Sequence, residues 1–275
     1  MIDSPRIENS AALDEFRTLA RSRGFEPDDP WVGGYVAYEW THARHFFQAY
    51  VPNLAGKRAL EFGCNVGASG IVLAKLGAEV SGVDIDPDFV TLARAQAATY
   101  GLGSRLHILQ LSNPKSLPFP DAEFDLIVCN SVLEYVDVGL RSTIQAELVR
   151  VLAPGGFLLV LGTSSRLWPR EVHSQKWFVN YLPRSVDRVW GKRDRQRGVS
   201  PFSIAQGFRG CRNVDTDDAS ATYLRAKQLM GTGTWTLRLM HLAARLLAQF
   251  HLSVGMFTPS ITMAFRKTRP DKYEK

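Results

Sequence analysis

The chain of 275 residues carries only three cysteines, Cys64, Cys129 and Cys211. They lie far apart, so neither a disulfide framework nor a Cys-x-x-Cys metal site is available, and each reads as a reduced core thiol. Long apolar runs are missing too. None approaches the roughly 20 residues that a spanning helix needs, and the start Met1-Ile2-Asp3-Ser4-Pro5-Arg6 has no apolar stretch of the kind an export signal carries. The expectation is a cytoplasmic protein. Among six histidines, His42 and His45 sit close together but without a third ligand, so no metal site is expected. With 45% hydrophobic and 22% charged residues, the composition excludes overall disorder and supports one large or two small globular units.

A further absence is a pair of glycines. Lys57 to Phe62 reads as a buried parallel strand that turns tightly into a helix at Ala68 to Leu76. The turn, Gly63-Cys64-Asn65-Val66-Gly67, allows a ligand to lie against bare backbone. The dinucleotide fingerprint would require glycine at Asn65 and at Ala68. Without the middle glycine a pyrophosphate is crowded, and Glu61 just before the loop would repel it yet could hold a cation. Asp84, which ends the next strand about 20 residues on, is placed to bind ribose hydroxyls.

Glu61, Gly63 and Gly67 match the form E/D-x-G-x-x-x-G, which resembles the first motif of the class I S-adenosylmethionine (SAM)-dependent methyltransferases, in particular the small-molecule, type 11-like members. Three later passages resemble the same family in the same order. Leu117 to Asn130 is similar to its "LPF-D-FD" entry into the fourth strand, Ser131-Val132-Leu133-Glu134-Tyr135-Val136 follows as in many members acting on small molecules, and Val151-Leu152-Ala153-Pro154-Gly155-Gly156 resembles the turn before the fifth strand. The resemblance covers roughly residues 57 to 163 and implies SAM as cofactor. It implies that Asp84 binds the ribose, that Ile85 packs on the adenine, and that Glu61, Gly63, Cys64, Asn65, Gly67 and Asn130 complete the cofactor site. Where the family usually has an Asp that accepts from the adenine amino group, this chain has Asn113, whose amide oxygen can accept the same bond.

The implied fold is α/β, a doubly wound, seven-stranded Rossmann-like sheet whose last strand is antiparallel, with an N-terminal helical cap and a C-terminal helical insert. Residues 1–56 form the cap, with helices over Ala11 to Gly24 and, after Pro27-Asp28-Asp29-Pro30, over Tyr35 to Tyr50. Residues 57–163 form the SAM-binding core, with helices Asp88 to Tyr100 and Gly139 to Leu152 and strands Leu106 to Leu109 and Phe157 to Gly162. Residues 164–275 hold a substrate-recognition insert, a sixth strand near Arg212 to Thr216, a long helix and a closing strand Ile261 to Arg266.

Charge divides the chain. Residues 1–165 carry 13 Lys and Arg against 19 Asp and Glu, and residues 166–275 carry 20 against 8. The stretch Arg184 to Arg197 mixes cations with Trp190, but no cationic face or RNA-binding appendage is legible, so nucleic acid is disfavoured. An anionic small substrate or an acidic lipid surface suits the charge better. Segment 234–250 is the best helix of the tail, and its narrow polar stripe, Arg238, His241, Arg245 and Gln249, predicts burial of most of its circumference against the sheet. A homodimer seam and a helix lying peripherally on the inner membrane face are the alternatives.

A sulfonium methyl is already activated, so the protein must align an acceptor and remove its proton where it has one. Ligands lie at the carboxyl ends of strands in such sheets, which selects Glu134 and Tyr135 after the fourth strand and His173 after the fifth as catalytic candidates. Trp168, Trp177, Phe178 and Tyr181 around His173 are suited to stack on a sugar, a quinone or an aromatic acceptor. The expected function is methyl transfer to a small-molecule, glycan-linked or lipid-linked acceptor. The alternatives are a quinone-type C-methyltransferase at the membrane surface and a catalytically inactive SAM-binding partner subunit.

Overall fold

The computed structural model describes residues 4–183 and 197–269. Most of the basic stretch from Arg184 onward therefore lies outside the described residues. Seven strands form one sheet: β1 (Arg58–Phe62), β2 (Glu79–Asp84), β3 (Leu106–Gln110), β4 (Phe124–Asn130), β5 (Leu152–Ser164), β6 (Cys211–Asn213) and β7 (Ser260–Lys267). Their spatial order is β3-β2-β1-β4-β5-β7-β6. The first five pair in parallel, and β7 inserts antiparallel between β5 and β6. The expected doubly wound sheet with its last strand antiparallel is the fold observed. Chain direction switches sides between β1 and β4, which opens a crevice at their carboxyl ends.

Helices cover both faces because the central strands are apolar on both. One face packs against α3 (Ala43–Tyr50), α4 (Ala68–Lys75), α9 (Ala221–Leu229) and the inner side of α10 (Thr234–Ala248). The other packs against α6 (Val138–Val151) and α7 (Pro201–Gly207), through Leu148, Ile144 and Ile204. The cap helix α1 (Ser10–Ser22) sits on α5 (Pro87–Thr99) through Phe16, Ala20 and Leu92. Asn9, Asp86 and Asp137 supply side-chain caps to α1, α5 and α6.

Several expectations are refined. The helix foreseen over Tyr35 to Tyr50 is two, α2 (Tyr35–Thr41) and α3, because His42 leaves regular geometry with its Nδ1 against the Tyr38 carbonyl at 2.8 Å. Pro154-Gly155-Gly156 is no separate turn. It is an irregularity inside β5, with Gly155 at φ 81°, across which pairing jumps from Phe124–Leu152 to Leu126–Phe157. The sixth strand is only three residues long and runs straight into α8 (Val214–Asp217), where Asn213 accepts from the Asp215 amide. Helix α10 forms where expected, yet only Ala244 is buried, which overturns the expectation that most of its surface faces the sheet.

Candidate functional site

The loop after β1 is shaped by positive φ angles at Gly63 (71°), Asn65 (48°) and Gly67 (79°). A Cβ on Gly63 would lie 2.6 Å from Val132 Cγ2, so the loop also closes tightly on the segment after β4. Gly63 and Cys64 both donate to the Val83 carbonyl at 2.9 Å, and Gly67 donates to the Cys64 carbonyl at 2.7 Å. Asp84 completes the turn: its Oδ2 accepts from the Asn65 amide at 2.9 Å and its Oδ1 from the Asp86 amide at 3.0 Å. Its half-buried carboxylate thus braces the loop at the end of β2, where lone pairs remain for hydroxyl donors. The adjoining Ile85 side chain is 59% exposed, an open apolar shelf of the kind a flat base covers.

Several of the expected cofactor residues are engaged within the protein. Glu61 is buried, and its Oε2 accepts from the Gly70 amide at 2.8 Å, so it ties β1 to the first turn of α4 instead of presenting a free carboxylate. Cys64 is buried with its sulfur toward Gly82, and burial pushes its thiol pKa up; only its backbone belongs to the loop. Asn113 is exposed and spends its amide oxygen on the Lys115 amide at 3.0 Å, a local turn. The Asn130 amide donates to Glu39 Oε2 at 3.0 Å and to Ser69 Oγ at 3.1 Å, an internal latch.

Glu39 is the residue that sequence reasoning missed. It reaches from α2 into the crevice, fully enclosed, and accepts from the Ser69 hydroxyl at 3.0 Å and from Asn130. Burial raises its pKa to about 7, against the opposing effect of these donors and of the Tyr35 hydroxyl. The signal was present: Val36, Glu39 and Trp40 share the buried face of α2 at helical spacing, and an acid on such a face needs a reason. Burial also holds Glu61 well above the carboxylate range, with Glu39 and Asp84 adding to the effect. Neither Glu39 nor Glu61 has an ion-pair partner among the described residues. Both carboxyls are thus held toward their neutral form in the ligand-free protein, where a cation would draw them to ionise, and the buried Asn65 Oδ1 lacks a hydrogen-bond donor. An unpartnered acceptor, two uncompensated carboxyls and bare loop backbone fit a cationic nucleoside and not a pyrophosphate.

On the other side of the crevice the three catalytic candidates come together. Glu134 is buried after β4; its Oε1 accepts from the Ser164 amide at 3.1 Å and lies 3.0 Å from His173 Nε2. The bond to Glu134 raises the His173 pKa, opposed by partial burial. The Tyr135 ring stands 5.7 Å from the imidazole and is exposed. Glu171 fixes the turn that carries His173. It is buried and accepts from the Ser164 hydroxyl at 2.7 Å and from the Ser174 amide. Burial pushes Glu171 upward, but the amides of Ser174 and His173 with the Ser164 hydroxyl outweigh it and hold the carboxyl below its ordinary range. Around this centre Trp168, Trp177, Phe178 and Tyr181 are exposed, and Asn180 stitches their loop to the Ser165 and Trp168 carbonyls. Among the described residues no group of three His, Cys, Asp or Glu side chains is arranged to hold a metal.

Comparison with known proteins agrees with this geometry. Residues 60–160 match the family described as a methyltransferase domain. A protein of Haemophilus influenzae is 35% identical over 128 residues, which are 46% of this chain and 48% of that protein. The ubiquinone biosynthesis O-methyltransferase of Azoarcus sp. is 30% identical over 163 residues, 58% of this chain and 64% of that enzyme. The chain thus spans about half to just under two thirds of the length of these curated relatives. A chain of the Haloferax volcanii complex with the Trm112 methyltransferase activator shares the fold at a TM-score of 0.53 and 17% identity, covering 95% of this chain and all of that one. The glycine-loop crevice thus lies within residues 60–160, the part of the chain that matches the methyltransferase-domain family, on a sheet of strand order β3-β2-β1-β4-β5-β7-β6.

Proposed function

We propose that the protein is a SAM-dependent methyltransferase that methylates a hydroxyl on an acceptor with a flat, largely apolar body. The observation that carries this reading is the 3.0 Å contact between Glu134 Oε1 and His173 Nε2 at the carboxyl ends of β4 and β5. When bound, SAM supplies an electrophilic methyl on a sulfonium. The glycine loop and Asp84 are suited to hold its nucleoside, and the carboxyls of Glu39 and Glu61 to favour its positive charge. Glu134, itself fixed by the Ser164 amide, accepts the Nε2 proton of a neutral His173. That leaves Nδ1 as the proton acceptor, and the imidazolium formed on taking the acceptor's proton is stabilised by the same carboxylate. As the acceptor oxygen takes the methyl that SAM would supply, its proton would pass to His173 Nδ1, where the Glu134 carboxylate holds the imidazolium.

The exposed Trp168, Trp177, Phe178 and Tyr181 support an acceptor recognised by stacking. The name of the Azoarcus relative, a ubiquinone biosynthesis O-methyltransferase, points the same way, toward oxygen methylation. The test is to incubate the protein with methyl-labelled SAM and an organic extract of its host cells and to identify the labelled product. A methyl ether formed by the wild type and lost in His173→Ala is the expected result. Label on carbon or nitrogen, or undiminished product with His173→Ala, overturns it.

A further inference from the structure

The geometry points to α10 as a helix that lies on an anionic lipid bilayer. This inference goes beyond methyl transfer and does not depend on it. Helix α10 presents three faces to three surroundings. Met240, Ala244 and Leu247 pack on the body of the protein. Trp235, Leu239, Leu242 and Leu246 form a second, outward stripe at helical spacing, continued by Phe250 in the turn after the helix, and they are strongly exposed: 75% at Trp235, 68% at Leu239 and 71% at Phe250. Arg238, His241 and Arg245 run along one edge of that stripe, also exposed, with the Arg238 guanidinium 5.1 Å from the centre of the Trp235 ring. An outward apolar stripe with an indole at one end and cations along its edge is the form of an interfacial helix. Such a contiguous apolar surface is not left bare on a monomer without a use. No helix of the described residues is long and apolar enough to cross a membrane.

Charge selects the occupant. From residue 219 to residue 270 the chain has seven Lys and Arg and no Asp or Glu. Two copies meeting through α10 would bring Arg238 and Arg245 against their equivalents with no carboxylate to offset them. A bilayer rich in acidic lipids neutralises the arginines and accepts the apolar stripe in one plane. The membrane-bound helix also leads toward the acceptor side. Nine residues after Phe250 the Pro259 carbonyl accepts from the Ser165 amide, and the Trp168 indole donates to the Phe257 carbonyl at 2.8 Å.

The test is co-sedimentation of the full chain with vesicles of phosphatidylcholine alone and of phosphatidylcholine with phosphatidylglycerol, at low and high salt. Binding at least tenfold stronger to the anionic vesicles, weakened by salt, is expected. Leu242→Gln with Leu246→Gln should abolish it, and Arg238→Gln with Arg245→Gln should weaken it about fivefold per arginine. All four positions are exposed, so thermal stability and SAM affinity should stay unchanged in both variants. Absent or salt-insensitive sedimentation of the wild type, or undiminished binding by the leucine variant, overturns the inference. So does a concentration-dependent oligomer that the leucine variant dissolves while vesicles bind neither protein. None of these outcomes bears on the cofactor, since SAM affinity is read separately.

Discussion

Glu39, on the second helix of the N-terminal cap, accepts a hydrogen bond from Asn130 at the end of β4, so the cap is fastened to the carboxyl edge of the sheet at the mouth of the cofactor crevice. The fastening rests on a carboxyl whose pKa burial has lifted from 4.5 to about 7. A raised folded pKa means stability that is fully present below the unfolded value and lost as pH rises through the folded one. Cap docking in the ligand-free protein should therefore weaken between about pH 4.5 and 7. The shift corresponds to on the order of 3 kcal/mol. Asp215, buried and lifted to about 7, adds a loss in the same window. Thermal unfolding from pH 5 to 8 should show the wild type losing more stability than Glu39→Gln, and parallel curves would contradict this.

The same carboxyl couples cofactor binding to protons. A bound cation favours the ionised form of Glu39, so SAM affinity should rise as pH passes through about 7, with a proton released on binding. Calorimetric titration at pH 6.5 in buffers of different ionisation heat measures that release. It should shrink in Glu39→Gln; equal release by both proteins would remove Glu39 from the account.

The glycine loop should resist side chains for two separate reasons. At Gly67 φ is 79°, and an added Cβ would sit 3.2 Å from the Ala93 Cβ. Gly67→Ala should cost about 1–3 kcal/mol in chemical unfolding and weaken SAM binding. Gly210→Ala provides the contrast. It has a similar φ of 80° but nothing within 4 Å of the added Cβ, and it lies far from the crevice in sequence. It should lose stability and keep SAM affinity; equal loss of affinity in both would show that strain alone, not the crevice, is being read.

The dyad predicts the acid limb of the pH–rate profile. The base form of His173 is the neutral one, and the hydrogen bond to Glu134 lifts its pKa, so kcat should rise with pH along a limb displaced upward from that of a free imidazole. Glu134→Gln should move that limb to lower pH and reduce kcat, with the KM for SAM little changed. His173→Ala should cost roughly a hundredfold or more in kcat. An unmoved limb in Glu134→Gln would show that the carboxylate serves the fold and not the base.

Much of this was legible in the sequence because backbone requirements leave local marks. Gly63 and Gly67, the acid at Asp84 and the alternation of apolar strands with helices announce the crevice and the sheet. Glu134, Tyr135 and His173 could be chosen because strand ends are where ligands lie, although the partnership of Glu134 with His173 spans 39 residues and was visible only in three dimensions. Glu61 was legible only in part: its position beside the loop is local, but the direction of its side chain is set by the amides of α4. Glu39 was hidden because its meaning depends on Ser69 and Asn130, brought together by tertiary packing. The exposure of α10 was not legible because an apolar circumference reads the same in sequence whether the fold covers it or leaves it open.

The most direct test of the central claim is equilibrium binding of SAM to the purified protein and to Asp84→Ala. Asp84 both braces the Asn65 amide and ends β2 beside the exposed Ile85. The account predicts saturable one-to-one binding by the wild type and at least a tenfold weaker constant for Asp84→Ala, with the variant still folded by circular dichroism. A wild type that binds no SAM, or an Asp84→Ala variant that binds it as tightly, would contradict the account.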